Sequence, residues 1–149
     1  MKTGGAGFFA GRDGGTEELA LDVAKAIEEK MGQKPYFVIA SFHRKFLDAN
    51  RPTDIGLESE KAKPTYEYYH GRLADYCKSV KKEFGRGLLL DIHGQGSKKD
   101  TVFRGTQNGK TVTLLRERFG EKAHFGPKSL FGLLEKEGWT VHPTEENQK

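Results

Sequence analysis

A histidine that directly follows an aliphatic run is the first residue of the chain that could carry chemistry. Residues 87–92 form a short, mostly aliphatic run that contains one aspartate, and such a run is typical of a buried strand in a parallel sheet. His93 follows this run, and the glycines at 94 and 96 allow a metal or substrate to approach closely. Ligands bind at the carboxyl ends of such strands, and a neutral imidazole binds a metal or moves a proton. On position alone, a surface histidine that merely follows a strand is an equal alternative.

A second polar cluster, His43–Arg51, follows another segment of strand-like composition, Tyr36–Phe42. A planar guanidinium holds a carboxylate through two hydrogen bonds, and an adjacent amide adds a neutral one. Asn50–Arg51 therefore makes chemical sense as a clamp for a small acidic substrate. The alternative, favoured when this cluster is taken by itself, is a loop arginine paired with Asp48 or Asp54.

The elements that must position these residues follow from apolar periodicity. Helical spacing predicts a helix over Thr16–Met31, capped by Thr16, and a second helix over Tyr66–Phe84 whose aromatic stripe faces the core. Alternating helices and strands favour right-handed crossovers and a largely parallel sheet, so we expect an α/β fold. In the rest of the chain, the sequence predicts a turn over Arg104–Gly109 and two short helices over Thr111–Phe119 and Pro127–Glu137. It also predicts a last strand over Trp139–His142.

Composition restricts the class of protein. A chain of 149 residues with 31% charged and 35% hydrophobic residues suits one soluble globular domain. The net charge is +4, but basic and acidic residues are mixed, so we expect no nucleic-acid partner. The single cysteine excludes an internal disulfide, and no membrane-spanning or signal pattern is present. We therefore expect a cytoplasmic protein without a membrane partner, whose oligomeric state stays open.

Several segments together resemble the N-formylglutamate amidohydrolase family. Three of them, Ser41–Arg51, Tyr66–Leu73 and Leu88–Gly96, occur in that family's order. The downstream runs Arg104–Gly109 and Gly126–Gly132 are similar to its eukaryotic-type and uncharacterised branches. Because that family shares the fold of the zinc carboxypeptidases, the resemblance implies a three-layer helix–sheet–helix α/β fold with a mostly parallel sheet. It also implies a catalytic zinc ion.

The resemblance implies roles for individual residues. His93 matches the histidine of the family's D-x-H strand and is expected to bind zinc. Asn50 and Arg51 match its D-x-N-R motif, which grips the substrate carboxylate, and Arg44 is expected to assist. Asp13 corresponds to the acidic second zinc ligand, although capping of the first helix is an equally supported role for it. No catalytic residue is assigned.

The implied activity is hydrolysis of the amide bond of an N-formyl or other N-acyl amino acid such as N-formylglutamate. A zinc-activated water would attack the formyl carbonyl. Family members carry a histidine–glycine motif upstream of the stretch matching Gly4–Thr16, and a strand with a catalytic glutamate beyond the stretch matching Trp139–Pro143. Neither is found in this chain. We therefore expect residues 1–149 to form a single, partial domain with impaired activity.

Two other hypotheses stay open. In the first, the chain is an inactive homologue that binds small acidic ligands through Asn50 and Arg51. In the second, it is a basic α/β interaction protein in which His93 is only structural. Zinc binding separates the enzyme from both, and binding of acidic ligands separates the two alternatives from each other.

Overall fold

A computed structural model describes residue 11 and residues 13–148 of the chain. The chain divides into two compact units, Met1–Gly94 and Gln95–Lys149. Every residue predicted to bind zinc or substrate belongs to the first unit. The prediction of a single partial domain stays a prediction. The structure combines helices with a small parallel sheet, which agrees with the α/β class.

The first helix, α1, spans Thr16–Met31 and confirms the predicted bounds. It begins after Gly15 and ends at Gly32, and both glycines have a left-handed backbone that a side chain would strain. The Gly15 N-cap has no side-chain hydrogen bond, so the prediction that Thr16 caps this helix is wrong. Thr16 is instead the first helical residue, and its hydroxyl donates to the Asp13 carbonyl over 3.3 Å.

Two further helices complete the first unit: a short α2 over Thr53–Gly56, and α3 over Lys63–Phe84. The predicted helix over Tyr66–Phe84 is confirmed, and it starts one turn earlier because proline is tolerated in a first helical turn. The apolar stripe of α3 is half-buried rather than buried. Its aromatic rings pack on the preceding segment: Tyr69 against Phe42 with centroids 5.7 Å apart, and Tyr76 stacked on Tyr36 at 4.7 Å.

Neither predicted strand of the first unit forms. Within the described residues, Tyr36–Phe42 and Leu88–Ile92 belong to no β-ladder. The side chain of Leu88 is 71% exposed, and Leu89 and Leu90 are exposed as well. The prediction of a buried parallel strand before His93 is therefore wrong for this structure. Strand composition supplies a propensity, whereas a strand also needs a partner for its backbone N–H and C=O groups.

The second unit contains the sheet of the described structure. Its two strands, β1 over Thr101–Phe103 and β2 over Thr140–His142, pair in parallel with Val102 opposite Val141. Strand β2 confirms the predicted last strand, and the predicted turn before the helices is present, with left-handed backbone at Gln107 and Asn108. The sheet has two strands in the described residues, so a three-layer architecture goes beyond what is observed.

The helices of the second unit are α4 over Thr113–Phe119, α5 over Lys122–Phe125 and α6 over Leu130–Lys136. The prediction over Thr111–Phe119 is met by a 3-10 turn, Lys110–Val112, that continues into α4. The predicted helix from Pro127 starts three residues later at Leu130. The reason is that Ser129 takes the N-cap position, where its hydroxyl accepts from the Gly132 N–H.

A buried arginine joins β1 to the helices. The Arg104 guanidinium lies over the rings of Phe125 and Phe131, 4.6 and 4.8 Å from their centroids. It donates to the His124 carbonyl over 3.3 Å and lies 3.9 Å from the Glu135 carboxylate. Burial lowers the pKa of Arg104. The first residue of the Arg104–Gly109 motif thus has a packing role.

Candidate functional site

Asp13 and His93, which are eighty positions apart in sequence, are in contact. Asp13 lies just ahead of α1, and His93 follows the extended run 88–92. The distance from Asp13 Oδ2 to His93 Nδ1 is 3.3 Å, and the Gly94 N–H donates to the same oxygen over 3.1 Å. The Asp13 side chain therefore lies against His93, and the alternative role as cap of α1 is wrong.

A second carboxylate contacts the other side of the imidazole. Asp91 Oδ2 lies 3.2 Å from His93 Nε2, which fits an extended backbone that places residues two apart on one face. The side chain of His93 is 46% exposed and that of Asp91 is 73% exposed. Ion pairs this open to water contribute little to stability. The cluster of Asp13, Asp91 and His93 is thus accessible to a ligand rather than a core feature.

The cluster fits two ligands of a zinc ion. The 3.3 Å between Asp13 and His93 exceeds the usual N–H···O length of about 2.9–3.0 Å. The contact is thus a long hydrogen bond, and its length is also close to the roughly 3.3 Å that separates two ligands of a tetrahedral zinc ion with bonds of about 2.0–2.1 Å. Asp91 lies where a carboxylate orients a zinc-bound histidine. Because the two carboxylates face opposite ring nitrogens, both cannot reach one ion, and within residues 11 and 13–148 no group of three or more metal-binding side chains occurs.

Residues 43–58 form a loop, the clamp loop, that is closed at its base. Leu47 and Leu57 form an isolated antiparallel bridge and are both buried. The Asp48 N–H donates to the Gly56 carbonyl over 2.7 Å. Gly56 is needed here, because a Cβ at this position would lie 2.7 Å from the Asp48 carbonyl oxygen. The base of the clamp loop is therefore tightly packed.

Asp48 orders the interior of the clamp loop. Its buried carboxylate accepts from the Arg44 Nε over 3.0 Å and from the Asn50 backbone N–H over 3.0 Å. Such charge-assisted hydrogen bonds are stronger than neutral ones. Arg44 thus contacts Asp48, and its observed role is to hold the backbone ahead of Asn50.

Arg51 keeps an unused donor. Its Nε is buried and has no hydrogen-bond partner in the part of the chain that the structure describes. In that same part, no ion pair joins Arg51 to Asp48 or Asp54, so the alternative of a paired loop arginine is wrong. A buried donor left unpaired costs about 1–3 kcal/mol. Asn50 beside it is exposed.

Two side chains of α3 hold the tip of the clamp loop. The Tyr66 hydroxyl donates to the Arg51 carbonyl over 3.0 Å, and His70 Nε2 lies 3.1 Å from the Ala49 carbonyl. The two rings also contact each other, with centroids 4.3 Å apart. Sequence reasoning missed both residues, because it assigned Tyr66 to the core stripe and gave His70 no role. The available signal was two rings with polar tips, four positions apart on one helical face.

The predicted site residues therefore form two groups. One joins Asp13 to His93, and the other places Asn50 and Arg51 on a closed loop that Arg44 supports. Among the described residues, no hydrogen bond or ion pair joins Asn50 or Arg51 to His93.

Comparisons with known proteins found no matching family model, no matching curated protein and no matching solved structure. Of the helices described, none combines the length and the apolar character needed to cross a membrane. The residues and geometry above therefore carry the functional argument.

Proposed function

We propose that the chain carries two zinc ligands, Asp13 and His93, and a carboxylate clamp, Asn50 and Arg51, of an N-formylglutamate amidohydrolase-like enzyme. Its reaction is hydrolysis of the amide bond of an N-formyl amino acid. The observation that carries the proposal is the 3.3 Å approach of Asp13 to His93. A zinc carboxypeptidase-like, three-layer fold and a cytoplasmic location belong to the same proposal.

The residues around His93 prepare its ring to bind a metal ion. Asp91 lies 3.2 Å from Nε2, where its charge favours a proton on that nitrogen when zinc binds Nδ1 on the side of Asp13. The Gly94 N–H holds the Asp13 carboxylate in its orientation. When bound, zinc lowers the pKa of a water toward about 7 and polarises a carbonyl. Since the described residues supply two ligands rather than three, we expect weak zinc binding and impaired hydrolysis.

The clamp selects an acidic substrate. Arg51 is half-buried, and its planar guanidinium is a donor fork that matches the two oxygens of a carboxylate. Asn50 adds a neutral hydrogen bond, and Arg44 contributes through Asp48 by fixing the backbone ahead of the clamp. The net charge of +4 also favours the approach of an anion.

A second candidate function is binding of small acidic ligands without catalysis. The observation that favours it is that the clamp loop is closed at its base by its own contacts, and among the described residues no hydrogen bond or ion pair joins Asn50 or Arg51 to His93. In this case the chain binds an N-acyl amino acid through Asn50 and Arg51 and requires no zinc.

Calorimetric titration of the full chain with Zn²⁺ at near-neutral pH tests the first function. We expect one zinc per chain, with an affinity at least about tenfold lower in His93→Ala, because half of the protein ligands are removed. Asp13→Asn should weaken binding similarly. The matched controls are His43→Ala and Asp22→Asn, which change exposed residues outside the cluster and should bind zinc like the unmodified chain.

Two results contradict the zinc proposal: no zinc binding by the unmodified chain, or equal affinities in His93→Ala and His43→Ala. A titration with N-formylglutamate then tests the second function. Binding that needs Arg51 but not zinc supports a non-catalytic module. Binding that is unchanged in Arg51→Ala contradicts the clamp itself.

A further inference from the structure

The tip of the clamp loop is attached to α3 through its main chain. Tyr66 and His70 contact two carbonyl groups, those of Arg51 and Ala49. These carbonyls lie on either side of Asn50. The Ala49 carbonyl belongs to the peptide plane that precedes Asn50, and the Arg51 carbonyl belongs to the plane that follows Arg51. The two contacts therefore hold the backbone on both sides of the Asn50–Arg51 pair.

We propose that Tyr66 and His70 are positioning residues for the Asn50–Arg51 clamp. They touch no substrate themselves, and they act by keeping the backbone of residues 49–51 in the conformation in which both side chains of the clamp meet one carboxylate. This inference rests on the proposed binding of acidic ligands by Asn50 and Arg51.

The division of contacts within the loop supports this role. The base is closed without α3, by the Leu47–Leu57 bridge and by the Asp48 N–H on the Gly56 carbonyl. The contacts from α3 reach only the tip. If these two side chains only packed against the loop, their rings would be sufficient. Here the hydroxyl of Tyr66 and the Nε2 of His70 also lie within hydrogen-bonding distance of the loop backbone. The polar tips of the rings therefore add order at the residues that bind the ligand.

Pre-ordering the clamp lowers the entropic cost of binding, since fewer rotations are lost when the ligand arrives. One hydrogen bond contributes about 0.5–1.5 kcal/mol, which corresponds to roughly a twofold to tenfold change in affinity. Loss of either contact should thus weaken binding without unfolding the loop.

The test is the affinity of the full chain for N-formylglutamate, measured by calorimetry. We expect roughly fivefold weaker binding in Tyr66→Phe, which removes only the hydroxyl. The matched control is Tyr68→Phe, which makes the same chemical change at a 70% exposed position of the same helix and should bind like the unmodified chain.

His70 is tested by a pair of variants. His70→Leu removes the contact to the Ala49 carbonyl and should weaken binding by a similar factor. His70→Gln keeps a side-chain N–H that can donate to this carbonyl and should restore most of the affinity. A role limited to filling space would give the opposite order, because leucine packs on Tyr66 better than glutamine does.

Hydrogen exchange of the chain without ligand provides a readout that does not depend on binding. In Tyr66→Phe we expect faster amide hydrogen exchange at residues 49–51. Exchange at Asp48 should change little, because its N–H is hydrogen-bonded to the Gly56 carbonyl at the base of the loop. Exchange within α3 should stay unchanged. Faster exchange throughout α3 and the loop base would show a general structural role and would overturn the proposal.

The binding results separate the inference from the function on which it rests. If Arg51→Ala abolishes binding while Tyr66→Phe behaves like Tyr68→Phe, the positioning role is wrong and the clamp stands. If Arg51→Ala leaves affinity unchanged, or the unmodified chain does not bind, the clamp is wrong and the positioning role falls with it. Weaker binding in Tyr66→Phe with unchanged exchange at residues 49–51 also overturns the inference.

Discussion

The clamp loop and the segment that carries His93 are built in opposite ways. In the clamp loop, neighbours in sequence stabilise one another: Leu47 pairs with Leu57, and Asp48 holds the backbone of Asn50. The segment that carries His93 is extended and exposed, and the hydrogen bond of His93 is to Asp13, eighty positions away. The first region is ordered by local contacts, whereas the second is ordered by a contact between distant parts of the chain.

This difference separates the two proposed activities. An ordered clamp can bind a carboxylate without a metal, because pre-ordering of its backbone lowers the entropic cost of binding. An exposed cluster of two ligands gains order from the ion itself, since metal binding and local folding are coupled. The following substitutions test this contrast, from the largest expected effect to the smallest.

Leu47→Ala should destabilise the chain most. The Leu47 side chain is 2% exposed, and truncating a buried leucine costs about 2–5 kcal/mol. Leu88→Ala is the matched substitution in the His93 segment and should change stability by no more than about 0.5 kcal/mol. Urea unfolding measures both. Equal losses for the two variants would contradict the contrast.

Gly56→Ala should cost about 1–3 kcal/mol, because the added Cβ would lie 2.7 Å from the Asp48 carbonyl and the loop base has no room to yield. Gly71→Ala is the control, at a position in α3 where a Cβ meets nothing within 4 Å. It should stabilise the chain by up to about 1 kcal/mol through helix propensity. Thermal or urea unfolding distinguishes the two, and a neutral Gly56→Ala would show that the base is loosely packed.

Asp91→Asn should weaken zinc binding by about tenfold and leave the unfolding midpoint nearly unchanged. Without the carboxylate charge 3.2 Å from His93 Nε2 the ring is oriented less well, but the pair is too exposed to stabilise the fold. Asp75→Asn is the control on α3, where the carboxylate contacts Lys78. Unchanged zinc affinity in Asp91→Asn would contradict the orienting role of Asp91.

The smallest expected effect is an electrostatic link between the segment that carries His93 and helix α3. Burial, and secondarily the negative charge of Asp91, raises the pKa of Tyr69 above its usual 10.0. Asp91→Asn should therefore lower the pKa of Tyr69, which an absorbance titration resolves when Tyr69→Phe identifies the signal. Because the raised pKa lies in the folded state, stability falls as pH rises through the alkaline range, and it should fall less in Asp91→Asn. An unchanged Tyr69 titration would contradict this link.

Local sequence signals predicted helices better than strands. Helix α1 was predicted to the residue, because apolar spacing and the glycine after it are both local features. Tyr36–Phe42 and Leu88–Ile92 have strand composition but no ladder partner among the described residues, and such partners are not encoded locally. The strand Thr101–Phe103 was not predicted, since three residues give no measurable period.

The candidate site was predictable in its residues but not in its contacts. Whether Asp13 caps α1 or is a candidate metal ligand depended on whether His93 lies nearby. Local sequence patterns do not reveal a contact between residues eighty positions apart. Similarly, the role of Tyr66 depended on a carbonyl fifteen positions earlier in the chain. The pairing of Arg44 with Asp48 is local, and the four-residue spacing was a usable signal for it.

The exposed leucines at 88–90 also affect the heat capacity of unfolding. The heat capacity increases on unfolding by about 12–15 cal/mol/K per residue in a typical protein. This increment arises mainly from apolar surface that becomes hydrated only when the chain unfolds. Leu88, Leu89 and Leu90 already expose much of their surface to water in the folded chain, so each adds less to this increment than a buried leucine does. The stability curve of this protein should consequently be flatter with temperature than that of a well-packed domain of equal length.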